Sequence, residues 1–252
     1  MSQSSNDIAA RLGQLLQPGY RGQLIARGLA RGLLWRDGML PADAPSFSPT
    51  LSVDLLDHGF CCFALALELR EARQDLVLAN RGLLAAAEAL ESAVRHGPGA
   101  DEDRAFHLTM AAAAFHIGGY SARAFSLFAG DLAALNLSSY ERALAHLMRR
   151  DISALRRVSM GWLQAPEHSD AGVIERLDAD NGFSVDDVVA IALTRLFHRA
   201  AATVDAGLFT GDAELISEAR GLLELGRQGA AEARHVPLWW SFTVARHLFG
   251  DL

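Results

Sequence analysis

Lysine is missing from all 252 residues, so the 23 cationic side chains are arginines without exception. No lysine is present to cradle phosphates in a P-loop, form a Schiff base or act as a general base, which removes several enzyme chemistries at once. Cysteine is almost missing. Cys61 and Cys62 are neighbours, a spacing that suits neither a bridge between them nor the two-residue gap of a zinc knuckle. They read as small buried residues in a reducing compartment. Long apolar runs are lacking too: Phe60 to Leu67 and Val188 to Leu193 fall far short of the roughly 20 residues that span a bilayer. Met1 to Asp7 is polar and carries no cation ahead of an apolar run, unlike a secretory leader. A cytoplasmic location with no membrane partner is the expectation. HExxH, GxSxG, a glycine fingerprint after a strand and closely spaced His/Cys clusters are likewise absent, so no catalytic residue, cofactor or metal is expected.

What is present is helix-forming. Half of the residues are hydrophobic and 21% are charged, with abundant Ala and Leu and few β-branched runs, a composition of globular helical proteins. The expected fold class is all-α: stacked antiparallel helix pairs resembling a TPR or α-solenoid array. The formal charge of −7 excludes a surface that binds nucleic acid everywhere and leaves room only for a local basic stripe.

Along the chain, Asn6 caps a short helix over Asp7 to Leu16, and a second runs from Tyr20 to Trp35. Pro41, Pro45 and Pro49 make Asp37 to Thr50 a rigid loop. Ser52 or Thr50 opens a helix to about Arg73, and another spans Leu76 to His96. The acidic Asp101, Glu102 and Asp103 start the next, where the helix dipole favours negative charge; it reaches about Ile117. A Gly118-Gly119 turn leads to Tyr120 through Phe128, in a pattern similar to a tetratricopeptide repeat except that Arg123 stands where the small residue belongs. Ser138 and Ser139, with Glu141, open a helix to about Leu163 with a break near Asp151. The polar stretch Pro166 to Gly182 divides an N-terminal half, 1–165, from a C-terminal half, 183–252, the two packed as one unit. Ser184 caps Val185 to Phe209, Gly211 or Asp212 opens a helix to about Arg234, and Pro237 starts the last.

Three constellations stand out. Arg142, Arg149 and Arg156 recur every seven residues, with Arg150 and Arg157 beside them, and could meet phosphates or an acidic partner; the bland alternative is a solvated helix face held by Glu141 and Asp151. A second set, Arg21, Arg27, Arg31 and Arg36, follows Tyr20 and has the same alternative. The final helix carries Trp239, Trp240, Phe242 and Phe249 on more than one face, half of the four tryptophans in adjacent places. It ends without a tail, as though more chain follows, and reads either as an interface to a neighbouring domain or as a last core helix. The nine histidines are scattered and read as surface or core-edge residues. Asp101 to Arg104 superficially matches a DExD-type box, but that box follows a strand and works with a phosphate-loop lysine, so the capping reading stands.

Taken together, Gly19-Tyr20-Arg21-Gly22, Ala26-Arg27-Gly28, Trp35-Arg36-Asp37-Gly38, Phe47-Ser48-Pro49, the Gly118 to Arg123 turn and Val236-Pro237-Leu238-Trp239-Trp240 resemble the helical N-terminal region that precedes the motor of large bacterial DEAD/DEAH-box helicases of superfamily 2, some from antiphage defence systems. The resemblance implies a non-catalytic accessory module that packs on the motor, through Trp239, Trp240, Phe242 and Phe249, or recruits nucleic acid or a partner subunit, through Arg142, Arg149, Arg150, Arg156 and Arg157. The motor's ATP-handling positions have no counterpart in this chain. The competing reading is a free-standing TPR-like adaptor for a partner protein.

Overall fold

A computed structural model describes residues 52–71, 76–96, 101–179 and 183–250. The helices expected over 7–16 and 20–35, the proline loop and the Arg21 to Arg36 cluster lie outside the described residues. Within them the fold is all-α: ten α-helices and two short 3-10 turns, with no strand among the described residues. The chain divides into two compact units, Met1–Asn136 and Leu137–Leu252. The Pro166 to Gly182 stretch, expected as a boundary, falls inside the second.

In the first unit, α1 (Ser52–Glu71), α2 (Leu76–His96), α3 (Asp101–Ile117) and α4 (Ser121–Ala129) follow one another, closed by a 3-10 turn at Asp131–Ala134. α1 and α2 are antiparallel. Gly59 lies against Ala86 and Leu90 while Gly82 lies against Cys62 and Ala66, so residue numbers rise on one helix as they fall on the other. Small side chains let the axes approach: Ala64, Ala66, Ala79, Ala86, Ala87 and the run Ala111 to Ala114 are buried. Gly119 takes φ +90° in the turn after α3, a left-handed conformation that costs glycine least. The acidic start of α3 stands where the dipole reading placed it.

The second unit holds α5 (Ser139–Met148), α6 (Ile152–Gln164), a 3-10 turn (Pro166–His168), α7 (Asp170–Asp178), α8 (Val185–Thr210), α9 (Ala213–Glu232) and α10 (Val236–Gly250). Its starts are written in capping chemistry. Ser138 and Glu141 form a reciprocal capping box on α5, Ser184 and Asp187 do the same on α8, and the Asp212 carboxylate accepts from the Glu214 and Leu215 amides of α9. α8 and α9 are antiparallel, with Gly207 against Leu215 and Ile216 and Gly229 against Leu193. α9 and α10 are antiparallel as well: Gly226 faces Phe242, and the Arg220 guanidinium donates to the Phe249 carbonyl. At Gly226 the Phe242 ring occupies the space a methyl group would need.

The break expected near Asp151 is present: the segment 138–163 is two helices, because the chain turns at Arg149 and Arg150, with Arg150 at φ +55°, before Asp151 caps α6 through the Ala154 amide. One local expectation is corrected. The stretch after Pro166 is not merely turns: Ser169 accepts from the Gly172 amide and starts α7. That helix buries only Val173, and its one apolar set, Val173, Ile174 and Leu177, is short.

Candidate functional site

The break at Arg149–Asp151 redistributes the arginines expected on one helix. Arg142 sits on α5, Arg149 and Arg150 in the connection, and Arg156 and Arg157 on α6. The seven-residue recurrence therefore does not run along a single axis. All five side chains are exposed. Across 139–164 they face only Glu141 and Asp151 as acids. Glu141 is buried and held by its capping box, and Asp151 caps α6. Arg156 lies 3.6 Å from Asp205 on α8. Among the described residues, Arg142, Arg150 and Arg157 form no ion pair.

His146, on α5, links these cations. Its Nδ1 is buried without a hydrogen bond, and Asp151 Oδ2 stands 4.0 Å away, beyond hydrogen-bond reach. Burial pushes the imidazole below its ordinary pKa; Asp151 opposes this, while Arg149, Arg157 and Arg142 add to it by repulsion. Arg142, Arg149 and Arg157 thus all act on one ring despite their positions on different elements. The ring is neutral near pH 7. An anion drawn to these arginines would relieve the repulsion on His146.

Beneath this edge lies a polar knot that sequence spacing could not show. His198 of α8 is fully buried, with its Nε2 2.9 Å from Ser139 Oγ and its Nδ1 3.2 Å from Ser159 Oγ. A neutral imidazole donates from one nitrogen and accepts at the other, and a serine hydroxyl suits either role. Burial, joined by repulsion from His168 and Arg142, pushes the His198 pKa down to about 3. Trp162 stacks between His168, at 4.0 Å between ring centres, and His198, at 5.1 Å. Arg195 holds the turn in place by pairing with Asp170 at 2.6 Å and donating to the His168 carbonyl. This arrangement fixes α5, α6 and α8 in register. Two serines on one neutral buried histidine, with Ser159 fully buried and Ser139 half-buried, make a structural joint rather than an activated nucleophile. The reading of all histidines as surface or core-edge residues is corrected for His58 and His198, both buried.

Trp239, Trp240, Phe242 and Phe249 are at most 2% exposed. Phe242 meets Phe197 at 5.5 Å between ring centres, Trp239 and Trp240 make a T-shaped pair at 5.0 Å, and the rings fill the unit's own core. Buried in this way, they present almost no surface for the expected contact with a motor. The alternative of a last core helix fits, since every residue from Leu238 to Ala245 is buried. Cys61 and Cys62 are buried and form no disulfide, and burial raises the Cys62 thiol far above its usual pKa, which keeps it protonated and unreactive. Among the described residues no group of three His, Cys, Asp or Glu side chains could hold a metal ion, and no helix is long and apolar enough to cross a membrane.

No protein-family model matches the chain, and no curated protein matches it.

Proposed function

We propose that the chain is a non-catalytic helical interaction module that recruits nucleic acid through the arginine edge of its second unit. One observation carries this reading: Arg142, Arg150 and Arg157 are exposed and unpaired in an acidic chain that has acids available. Exposed arginines of a negatively charged protein tend to be neutralised by nearby carboxylates; leaving three open around the α5–α6 turn favours an external anion, and a planar guanidinium suits phosphate oxygens. The resemblance to the region preceding a DEAD/DEAH-box motor supports an accessory role beside such a motor, in bacterial defence or DNA processing. It rests on residue patterns alone.

The test is an anisotropy titration of a short labelled single-stranded DNA against the purified chain over a salt series, together with an ATPase assay. Three engaged arginines predict a slope of about −2 in log affinity against log salt, with no ATP turnover. Salt-independent binding, no binding, or ATP hydrolysis by the chain alone would each count against the module. In the same titration, histidine NMR should show the His146 pKa rising as DNA is added, because phosphate offsets the arginines that now lower it.

A further inference from the structure

A second surface of the same unit is not used by the arginine edge. α6 and α8 run antiparallel, with Arg156 beside Asp205 and Ser159 beside His198. Along them Arg156, Met160, Ala202, Asp205, Ala206 and Phe209 line a groove of about 320 Å³. Phe209 is 87% exposed at its rim. Its backbone is fixed there: Gly207 presses against Ile216 of α9, the Thr210 hydroxyl donates to the Ala206 carbonyl at 2.9 Å, and Gly211 ends the helix at φ +70°. Single exposed apolar residues are ordinary. A ring whose backbone is fixed at the mouth of an apolar groove has the character of an interface anchor.

The groove's charges specify what would enter. Asp205 is sunk, 13% exposed, and already faces Arg156, whose side chain is 66% exposed. Only Arg156 Nε approaches Asp205, at 3.6 Å, so the exposed guanidinium keeps further N–H donors for an incoming carboxylate while the sunk Asp205 offers little to a cation. We propose that it docks an amphipathic helix of a partner protein, with an apolar side chain seated between Met160 and Phe209 and an Asp or Glu one turn away on Arg156. Side chains three or four positions apart on a helix sit about 5–6 Å apart, which matches an apolar anchor beside an acid. The apolar lining favours a protein helix over nucleic acid, whose phosphates would find a single cation there.

Selection from a displayed library of helical peptides against the whole chain tests this. Enriched peptides should carry an acid three or four residues from a large apolar residue. Their affinity should fall about tenfold on Phe209→Ser and about fivefold on Arg156→Gln. Both side chains are exposed, so circular dichroism should report unchanged folding. Phe209→Ser should leave DNA affinity unchanged, whereas Arg157→Glu should weaken DNA binding and spare the peptides, so failure of one surface is distinct from failure of the other. Peptides lacking the acid, peptides indifferent to Phe209→Ser, or displacement of peptide by single-stranded DNA would overturn the proposal. So would a dimer of the chain abolished by Phe209→Ser in sedimentation, which would make a second copy the occupant.

Discussion

In the first unit the arginines that meet the core are answered from within. Arg123 of α4 lies over the Phe115 ring and reaches Glu88 at 3.0 Å and Glu91 at 3.1 Å on α2, while Arg95 pairs with Glu91. Glu91 is nearly buried, and both of its carboxylate oxygens are taken up by the two arginines. In the second unit Arg142, Arg150 and Arg157 stand open, and the polar groups beneath them, buried His198 and Ser159 with half-buried Ser139, carry no formal charge near pH 7. Elsewhere in the second unit arginines do lock elements together, Arg195 with Asp170 and Arg246 with Glu224, so the contrast is between these paired arginines and the open α5–α6 edge. What separates the two is whether a carboxylate lies one turn or one helix away. Composition does not reveal this, because the acids are spread over the whole chain.

The comparison can be broken most severely at the cores. Trp240→Ala in the second unit should lower stability by about 3–5 kcal/mol in urea unfolding, the usual cost of removing a large buried ring. A loss below about 1 kcal/mol would mean that the terminal helix is a detachable face after all.

A smaller and pH-dependent effect distinguishes the neutral knot from the ionic lock. The folded state holds His198 at a depressed pKa of about 3, against an ordinary 6.5. Below 6.5 the unfolded chain binds a proton that the folded chain refuses. The stability carried by neutral His198 is therefore full above about pH 6.5 and is lost as the pH falls toward 3, by an amount on the order of a few kcal/mol. Three of the four tryptophans, Trp162, Trp239 and Trp240, belong to this unit, so tryptophan fluorescence, read with Trp35→Phe as background, follows its acid unfolding. His198→Leu should flatten that acid limb while reducing stability near pH 7, since two serine hydroxyls lose their partner. An acid limb unchanged by the substitution would remove His198 as its cause.

Much of the helical frame is legible in the sequence because capping is local chemistry. Leu76–His96 and Asp101–Ile117 fall where the periodicity and the acidic start place them, and Ser138, Ser184 and Asp212 cap as their residue types require. α7 is missed because its one helical set, Val173, Ile174 and Leu177, is short and set in a polar stretch rich in turn residues. The site is less legible. The arginines could be counted, but their distribution over two helices depends on the turn at Arg150, a non-glycine residue in left-handed backbone with no glycine or proline to announce it. The histidine knot joins residues 39 and 59 positions apart, beyond the reach of any periodicity. The aromatic terminal helix leaves two readings open for a physical reason: rings on every face describe an exposed interface and a fully enclosed core helix equally well.

The smallest effect concerns that turn. Arg150→Gly should raise stability by roughly 0.4–1 kcal/mol, since glycine adopts φ +55° without side-chain strain. The same change removes one cation of the edge and should weaken DNA binding modestly. A loss of stability instead would show that the Arg150 side chain supports the turn.

The most direct measurement compares two charge reversals of equal size in the anisotropy assay at low salt: Arg157→Glu at the α5–α6 edge and Arg104→Glu on the exposed start of α3 in the first unit. Both change the net charge by the same amount, so long-range repulsion alone would weaken DNA binding alike. A local arginine edge requires about a tenfold loss for Arg157→Glu and less than about a twofold change for Arg104→Glu. Equal losses, or no loss at Arg157, would contradict it.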